Sequence, residues 1–224
     1  MLARRNSTIA SAMDRMTTRL YHITHISNLP ALLQCAELRS KNKLTNSKTE
    51  YKSIAYEHIQ DRRASISVPY GLGGTLHDYV PFYFAARSPM LYAIHKGYVE
   101  GYEDGQQSIL HLVTSAESIA NASLNFVFSD GHAVMGYTSF YDDLSSLSAV
   151  IDWEIMKDVY WHDTDDDGDL KRRRQAEFLV HQSVPWSLID GIGVKNRTIA
   201  DRVNQTLQEF GYTTSVRRVS AYYY

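Results

Sequence analysis

A single carboxylate interrupts an otherwise apolar strand in the last quarter of the chain. The segment Ala176–His181 (AEFLVH) alternates as a strand does, and Glu177 stands between Ala176 and Phe178. Taking a carboxylate out of water is costly unless it is paired, hydrogen-bonded or used chemically. Two structural roles compete with a functional one: an ion pair with an arginine at 172–174, or an edge-strand position that faces water. The fold must therefore either neutralise Glu177 or use it.

The order of the remaining segments indicates the fold class. Strands are predicted at 20–26, 79–86, 109–114, 126–128, 189–194 and 216–222, and helices at 29–36, 53–63, 89–97, 115–121 and 198–210, with one or two more within 137–158. Residues 39–50, rich in Lys, Asn, Ser and Thr, are predicted to form a mobile polar loop. Because no regular βαβ repeat appears, we expect an α+β fold with mixed β-sheets flanked by helices.

Chain length and composition limit the domain organisation and the compartment. The 224 residues are enough for one compact domain, expected over 21–224, and the first 20 residues are expected to be a disordered extension outside it. Cys35 is the only cysteine, so no disulfide can form within the chain, which suits a reducing compartment. No apolar run approaches the roughly 18 residues that span a bilayer. We expect a soluble, cytoplasmic monomer.

The charge balance restricts how a polyanion could bind. The chain has 23 basic and 25 acidic residues, a net charge of −2, so nucleic acid would have to meet a local basic patch. Candidate patches, each of which could equally be solvated surface, are the pairs Arg62 with Arg63 and Arg87 with Lys96, and the runs at 171–174 and 217–218.

Two patterns suggest metal sites, and neither is complete. Asp163, Asp165 and Asp167 match the first half of a calcium loop, but its twelfth position, which needs a bidentate Glu, is Arg174. We expect this acidic loop to pair with the basic residues at 171–174 instead. His22 and His25 lie three apart on a predicted strand and so point to opposite faces. The sequence therefore predicts no metal site.

Several stretches, taken together, resemble one family. They are YHITHISNLPALL (21–33), SIAYEHIQDRR (53–63), LHDYVPFYFAARSPMLYAI (76–94), ILHLV (109–113), FVFSDGHAV (126–134) and QAEFLV (175–180). In this order they resemble the DarT toxins, which are DNA ADP-ribosyltransferases paired with a macrodomain antitoxin. The likeness extends from about residue 21 to 224 and leaves out the first 20 residues.

The resemblance implies an ADP-ribosyltransferase fold that uses NAD+ as co-substrate, releases nicotinamide and places ADP-ribose on thymidine in single-stranded DNA. By the same likeness, Arg63 and Glu177 are the catalytic pair. Residues 39–50 would cover NAD+, and 132–177 would recognise the substrate. The cofactor-facing positions implied by the likeness are His22, Ile23, Thr24, Ala31, Arg39 and Arg63.

The chemistry of the residues agrees with these implied roles. Cleavage of the nicotinamide–ribose bond passes through an oxocarbenium-like centre, which a carboxylate such as Glu177 stabilises. An arginine, with a pKa above about 12, is a poor base, so we expect Arg63 to stabilise the thymine N3 anion rather than remove its proton. His132 either assists that proton transfer and contacts DNA, or is an ordinary turn histidine.

The sequence indicates the DNA-binding residues less specifically than it indicates the catalytic pair. Candidates for phosphate contacts are Arg87, Lys96 and the basic run at 171–174, and candidates for stacking on unpaired bases are Tyr83, Tyr92 and Tyr141, each of which could equally belong to the core. Two other functions stay open: ADP-ribosylation of RNA or protein on the same scaffold, and a catalytically idle nucleic-acid-binding module. The presence of both Arg63 and Glu177 argues against the idle module.

Overall fold

A computed structural model describes residues 17–224 of the chain. The described residues form ten strands: β1 (Arg19–His25), β2 (Glu37–Arg39), β3 (Tyr79–Tyr83), β4 (Ile109–Ser115), β5 (Phe126–His132), β6 (Phe140–Tyr141), β7 (Ala176–His181), β8 (Ser183–Pro185), β9 (Gly191–Val194) and β10 (Ser215–Arg218). Nine α-helices lie among the described residues: α1 (Leu29–Cys35), α2 (Lys41–Asn46), α3 (Glu57–Ser65), α4 (Pro89–His95), α5 (Ala116–Asn121), α6 (Leu147–Val150), α7 (Trp153–Lys157), α8 (Leu170–Arg173) and α9 (Arg197–Glu209). Short 3-10 turns occupy Ile26–Asn28, Leu76–Asp78, Leu144–Ser146, Trp186–Leu188 and Ser220–Tyr222.

The strands form one large sheet and one small one. The large sheet has eight strands in the order β10-β9-β4-β1-β3-β7-β5-β6, and β2 pairs with β8 separately. All neighbours are antiparallel except β10 and β9, which run parallel. The predicted α+β fold with mixed sheets is therefore confirmed.

Strand β7 lies inside the large sheet. It pairs with β3 on one side, where Glu177 is opposite Tyr83, and with β5 on the other, where Phe178 is opposite Phe128. Phe128 and Phe178 are fully buried and stack with their ring planes 4° apart. The edge-strand alternative for Glu177 is wrong, because both edges of β7 are paired and Glu177 is 3% exposed.

A β-bulge in β5 lies directly beside Glu177. The register shifts between Phe128 and His132, and Ser129 bridges the irregularity. Its hydroxyl accepts a hydrogen bond from the Glu177 N–H at 3.1 Å and donates one to the Gly131 carbonyl at 2.7 Å. A Cβ at Gly131 would lie 2.3 Å from Arg172 Nη1, so this close approach requires glycine. Bulges often redirect side chains next to active sites.

Helix starts and ends follow the sequence signals. Ser88 accepts from the Leu91 N–H and Pro89 begins α4, while Asn196 accepts from the Ile199 N–H at the start of α9. Helix α1 ends at Cys35, and its C-cap residue Ala36 has a left-handed φ of 53°. These are the boundaries that capping chemistry predicts.

Several predicted boundaries need correction. The segment 39–50 is not a loop throughout, because Ser40 caps α2 by accepting from the Lys43 N–H. Within 137–158 the chain forms β6 before the short helices α6 and α7, and the predicted last strand ends at Arg218 rather than at Tyr222. A local cap hydrogen bond defines the start of α2, whereas pairing with strands distant in sequence sets the extent of β6 and β10.

The boundary of the predicted N-terminal extension also shifts. Residues 1–16 lie outside the described residues. Arg19 and Leu20 belong to β1, and Leu20 is fully buried. The Thr18 N–H donates to Glu117 Oε2 at 2.9 Å. The fold therefore begins a few residues before residue 21. In the part of the chain that the structure describes, we find no helix long and apolar enough to cross a membrane.

Candidate active site

Glu177 is held by an arginine from another part of the chain. Arg63, in the last turn of α3, donates from Nη1 to both carboxylate oxygens of Glu177, at 3.0 and 2.8 Å. The two side chains are 9% and 4% exposed. The alternative of a pair between Glu177 and an arginine at 172–174 is therefore wrong, and those arginines have other partners. A buried ion pair costs desolvation that its own attraction only partly offsets, so it is weak evidence for a stabilising role.

Further hydrogen bonds fix the carboxylate in place. The Ala133 N–H donates to Glu177 Oε1 at 3.2 Å, from the residue that follows β5. Arg63 Nη2 is buried and has no hydrogen-bond partner among residues 17–224. Buried donors are nearly always satisfied in native proteins, and a bound ligand is one means of satisfying them. The pair is therefore held on one side and has an unused donor.

The pair lies at a large cleft. The cleft has a volume of about 1080 Å³ and is lined mainly by apolar groups, at the upper end of the size expected for a ligand site. The residues predicted to be catalytic or to bind NAD+ all line it, together with the DNA-binding candidate Tyr83, namely His22, Ile23, Thr24, Ala31, Arg39, Arg63, Tyr83, His132 and Glu177. Other DNA-binding candidates, namely Arg87, Lys96, Tyr141, Arg173 and Arg174, do not line it. The structure thus brings the predicted catalytic and cofactor residues to one place.

His22 is a neutral side chain with a defined tautomer. Its Nδ1 lies 2.8 Å from the Pro81 carbonyl, which only accepts, so Nδ1 carries the proton and Nε2 is an acceptor. Burial lowers the pKa of His22, and the hydrogen bond to Pro81 opposes that shift in part. An uncharged acceptor on β1 suits a ligand amide better than a cation would.

His132 is also neutral near pH 7. Burial lowers its pKa below the ordinary value of 6.5. The charge of Glu177 opposes this shift, whereas the charges of Arg63, Arg62 and Lys171 add to it. A neutral imidazole can accept a proton. Tyr83, in register with Glu177, stays protonated, because burial and then the charge of Glu177 raise its pKa.

The segment from 39 onwards covers part of the cleft. Arg39 binds Glu37 at 2.6 Å at the end of β2, and Lys43 of α2 binds Glu37 at 2.9 Å and Ser183 at 3.0 Å. Asn42 donates to Asp78 at 2.6 Å. These bonds tie α2 to the body of the protein.

Asn28 is a residue of the cleft that is absent from the site residues predicted from the sequence. Its Nδ2 donates to Thr24 Oγ1 at 3.1 Å and to the Lys52 carbonyl at 3.0 Å, and its Oδ1 accepts from the Lys52 N–H at 2.7 Å. It therefore joins β1 to Lys52, which also lines the cleft. No sequence pattern reveals a pairing between residues 24 positions apart.

Two predicted DNA-binding residues lie outside the cleft. The Arg87 guanidinium is 5.6 Å from the centroid of the Tyr224 ring, and Lys96 Nζ is 5.4 Å from that of Tyr92. Arg174 is buried and donates to the carbonyl groups of Asp158 at 3.1 Å and Arg87 at 2.9 Å. The basic run at 171–174 is therefore not uniformly available to a ligand.

The acidic loop pairs with its basic neighbours, as predicted. Arg173 binds Asp167 at 2.6 Å, and Arg172 binds Asp169 at 2.7 Å. Over residues 17–224, no group of three or more His, Cys, Asp or Glu side chains is arranged to hold a metal ion.

The fold and the cleft define the class of protein. The structure matches that of Thermus sp. 2.9 DarT in complex with ADP-ribosylated ssDNA, with a TM-score of 0.87 and 43% sequence identity. The match covers 93% of this chain and 97% of that chain. It matches the same protein in complex with NAD+ with a TM-score of 0.83 and 40% identity, over 93% of this chain and 98% of the other. The class is therefore the ADP-ribosyltransferases.

Sequence comparison narrows the class to a family. The family model described as ssDNA thymidine ADP-ribosyltransferase, DarT, matches residues 21–224. The DNA ADP-ribosyl transferase of Thermus sp. (strain 2.9) is 46% identical over 193 residues, which is 86% of this chain and 88% of the relative. The chain belongs to the DarT family. A more distant relative, 26% identical over 84% of this chain and 45% of its own length, is the DNA ADP-ribosyl transferase-DNA ADP-ribosyl glycohydrolase fusion protein of Thermosipho africanus.

Proposed function

We propose that this protein is a toxin that transfers ADP-ribose from NAD+ onto thymidine bases of single-stranded DNA and releases nicotinamide. The observation that carries the proposal is the buried Arg63–Glu177 pair at a nucleotide-sized cleft. Membership of the DarT family supports it. The related Thermus protein, whose complexes contain NAD+ and ADP-ribosylated ssDNA, supports both the donor and the acceptor.

The donor side of the reaction uses Glu177. The bond between nicotinamide and the ribose C1′ breaks, and nicotinamide leaves with the electron pair. The positive charge that develops on the ribose is stabilised by the Glu177 carboxylate, which Arg63 and the Ala133 N–H hold in place. His22, Ile23 and Thr24 hold the nicotinamide end, while Ala31 and Arg39 face the rest of NAD+.

The acceptor side uses Arg63 and His132. Thymine N3 attacks C1′, and its proton passes to a base. Arg63, as a permanent cation with an unused Nη2 donor, stabilises the N3 anion. His132, neutral and lining the same cleft, is the group that accepts the proton. The apolar walls exclude water, which would otherwise hydrolyse NAD+.

The partners of the protein are single-stranded DNA and an antitoxin. Arg87 and Lys96 bind DNA phosphates beyond the cleft, where neither has an acidic partner among residues 17–224. The antitoxin is a macrodomain that removes ADP-ribose, and the Thermosipho fusion with a glycohydrolase supports this pairing. The protein acts as a cytoplasmic monomer.

An acceptor panel tests the proposal. Purified protein is incubated with labelled NAD+ and, separately, with single-stranded DNA, duplex DNA, RNA and a protein mixture. The expected result is label on thymidine-containing single-stranded DNA and free nicotinamide in equal amount. Label on RNA or protein alone would show that the acceptor is RNA or protein rather than DNA. The absence of both label and nicotinamide would favour an idle nucleic-acid-binding module.

A further inference from the structure

One exposed tyrosine lies at the mouth of the cleft on a rigid turn. Tyr137 is in the connection between β5 and β6, is 63% exposed and lines the same cleft as Arg63 and Glu177. The connection is anchored by Ala133 and Val134, which are buried. The Met135 N–H and the Thr138 hydroxyl both donate to the His132 carbonyl, at 3.0 and 2.9 Å. Tyr137 is thus exposed on a turn that is itself fixed.

The Arg172 guanidinium, which two carboxylates hold in place, packs against the Tyr137 ring. The Arg172 guanidinium lies 5.2 Å from the ring centroid. Arg172 also donates to Asp130 at 2.8 Å and to both oxygens of Asp169 at 2.7 Å, so it cannot turn to another partner without breaking these bonds. The contact supports the ring from one side. Tyr137 is nevertheless 63% exposed, so ring surface remains available to a ligand.

Tyr92 and Tyr141, which the sequence analysis named as stacking candidates, are less accessible than Tyr137. Tyr141 packs on Phe128 with ring centroids 5.5 Å apart, and Tyr92 contacts the rings of Trp161 and Tyr224. Both are half-buried and pack against the hydrophobic core, and of the two only Tyr92 lines the cleft. A flat, exposed aromatic face supported from behind is what an unpaired base requires.

We infer that Tyr137 forms a base-stacking subsite for the nucleotide next to the target thymidine in single-stranded DNA. The inference rests on the proposed function and deepens it. With NAD+ and the target base filling the cleft beside Glu177 and His132, the next base along the strand meets the rim, where Tyr137 stands five residues from His132 on the same turn. Stacking accepts any base, so the subsite contributes affinity more than sequence preference.

Steady-state kinetics with modified oligonucleotides test the inference. The acceptor is a single strand with one thymidine, either intact or with an abasic site on its 5′ or its 3′ side. We expect Tyr137→Ala to lower kcat/KM for the intact strand by about 5- to 100-fold, mainly through KM, and Tyr137→Phe to retain most of it. An abasic site on one side should lower kcat/KM of the unmodified protein by a similar factor and have little further effect in Tyr137→Ala.

Controls separate the subsite from general damage and from the proposed function. Tyr70→Ala removes an exposed tyrosine that does not line the cleft and should leave kcat/KM unchanged. The Kd for NAD+ should be the same in all variants. An equal loss in Tyr137→Phe, no loss in Tyr137→Ala, or equal losses in Tyr137→Ala on intact and both abasic strands would overturn the subsite. If the unmodified protein does not label single-stranded DNA at all, the proposed function fails instead.

Discussion

Arg63 Nη1 lies 3.0 and 2.8 Å from the two carboxylate oxygens of Glu177, although 114 residues separate the two in sequence. One donor atom therefore serves both oxygens, and the second guanidinium nitrogen, Nη2, is left without a partner among the described residues. An arrangement made only for stability would use the planar fork of arginine in a bidentate pair. The geometry instead leaves one donor for a ligand.

The hydroxyl of Ser129 should control the position of Glu177. It accepts from the Glu177 N–H and supports the bulge that brings the Ala133 N–H to Glu177 Oε1. We expect Ser129→Ala to lower kcat for transfer by about 10-fold, the order of effect that loss of one positioning interaction produces, with the Kd for NAD+ unchanged.

Ser115→Ala is the matched control for Ser129→Ala. Ser115 is also buried and caps α5 by accepting from the Ser118 N–H, outside the cleft. It should lower the melting temperature without changing kcat. If the two variants lose stability alike and both keep the unmodified kcat, Ser129 has no positioning role.

Acid should destabilise the protein partly through His111. This side chain is fully buried, and burial lowers its pKa to about 4, while its Nε2 donates to the Ala86 carbonyl at 3.0 Å. The unfolded chain binds the proton near pH 6.5, so the contribution of His111 is complete above pH 6.5 and is lost as the pH falls toward 4, by up to about 3 kcal/mol.

Urea unfolding between pH 7 and pH 4.5 measures this dependence in the unmodified protein and in His111→Gln, which keeps a donor for Ala86 but cannot titrate. The free energy of unfolding should fall less steeply with pH in the variant. Part of the slope remains, because burial also lowers the pKa of His22 and His132. Identical slopes would rule out a role for His111.

Calcium should have no specific effect despite the acidic motif at 163–168. Asp167 is bound by Arg173 at 2.6 Å, and Arg174 stands at the position that would need a carboxylate. We expect melting temperatures in millimolar calcium and in magnesium to agree. A rise with calcium alone would show that the loop can release its arginine partners and bind the ion.

The sequence predicted local structure better than it predicted contacts between distant segments. Helix caps at Ser88 and Asn196 act through neighbours within three residues, which a sequence pattern can show. Resemblance to the DarT family indicated Arg63 and Glu177 together, although residue patterns alone left Glu177 with three possible roles.

Features that depend on contacts between distant segments could not be predicted. The bulge at Ser129 depends on pairing with β7. The Asn28–Lys52 bonds and the contact between Arg172 and Tyr137 join segments with no common periodicity. Such contacts are set by the packed fold rather than by local propensity.

Substitutions of Arg63 distinguish charge stabilisation from base catalysis. If the guanidinium stabilises the N3 anion, Arg63→Lys keeps part of the activity and Arg63→Ala loses far more, and both recover in part as the pH rises toward the N3 pKa of thymine. If Arg63 is the base, raising the pH does not rescue Arg63→Ala. Rates of transfer measured from pH 6.5 to 9.5 separate the two roles. Oligonucleotides that contain N3-methylthymidine serve as the acceptor that should be inert. Transfer to the methylated strand would contradict attack by N3.

Glu177→Gln, assayed for single-turnover transfer and for NAD+ binding, tests the central claim most directly. Glutamine keeps the size of the side chain and one oxygen acceptor for Arg63 and Ala133, but removes the negative charge. The account predicts a fall in the rate of transfer of about 100-fold or more, with a Kd for NAD+ within about 3-fold of the unmodified protein. A folded Glu177→Gln variant that transfers ADP-ribose to single-stranded DNA at a near-normal rate would contradict the role of the carboxylate in NAD+ activation.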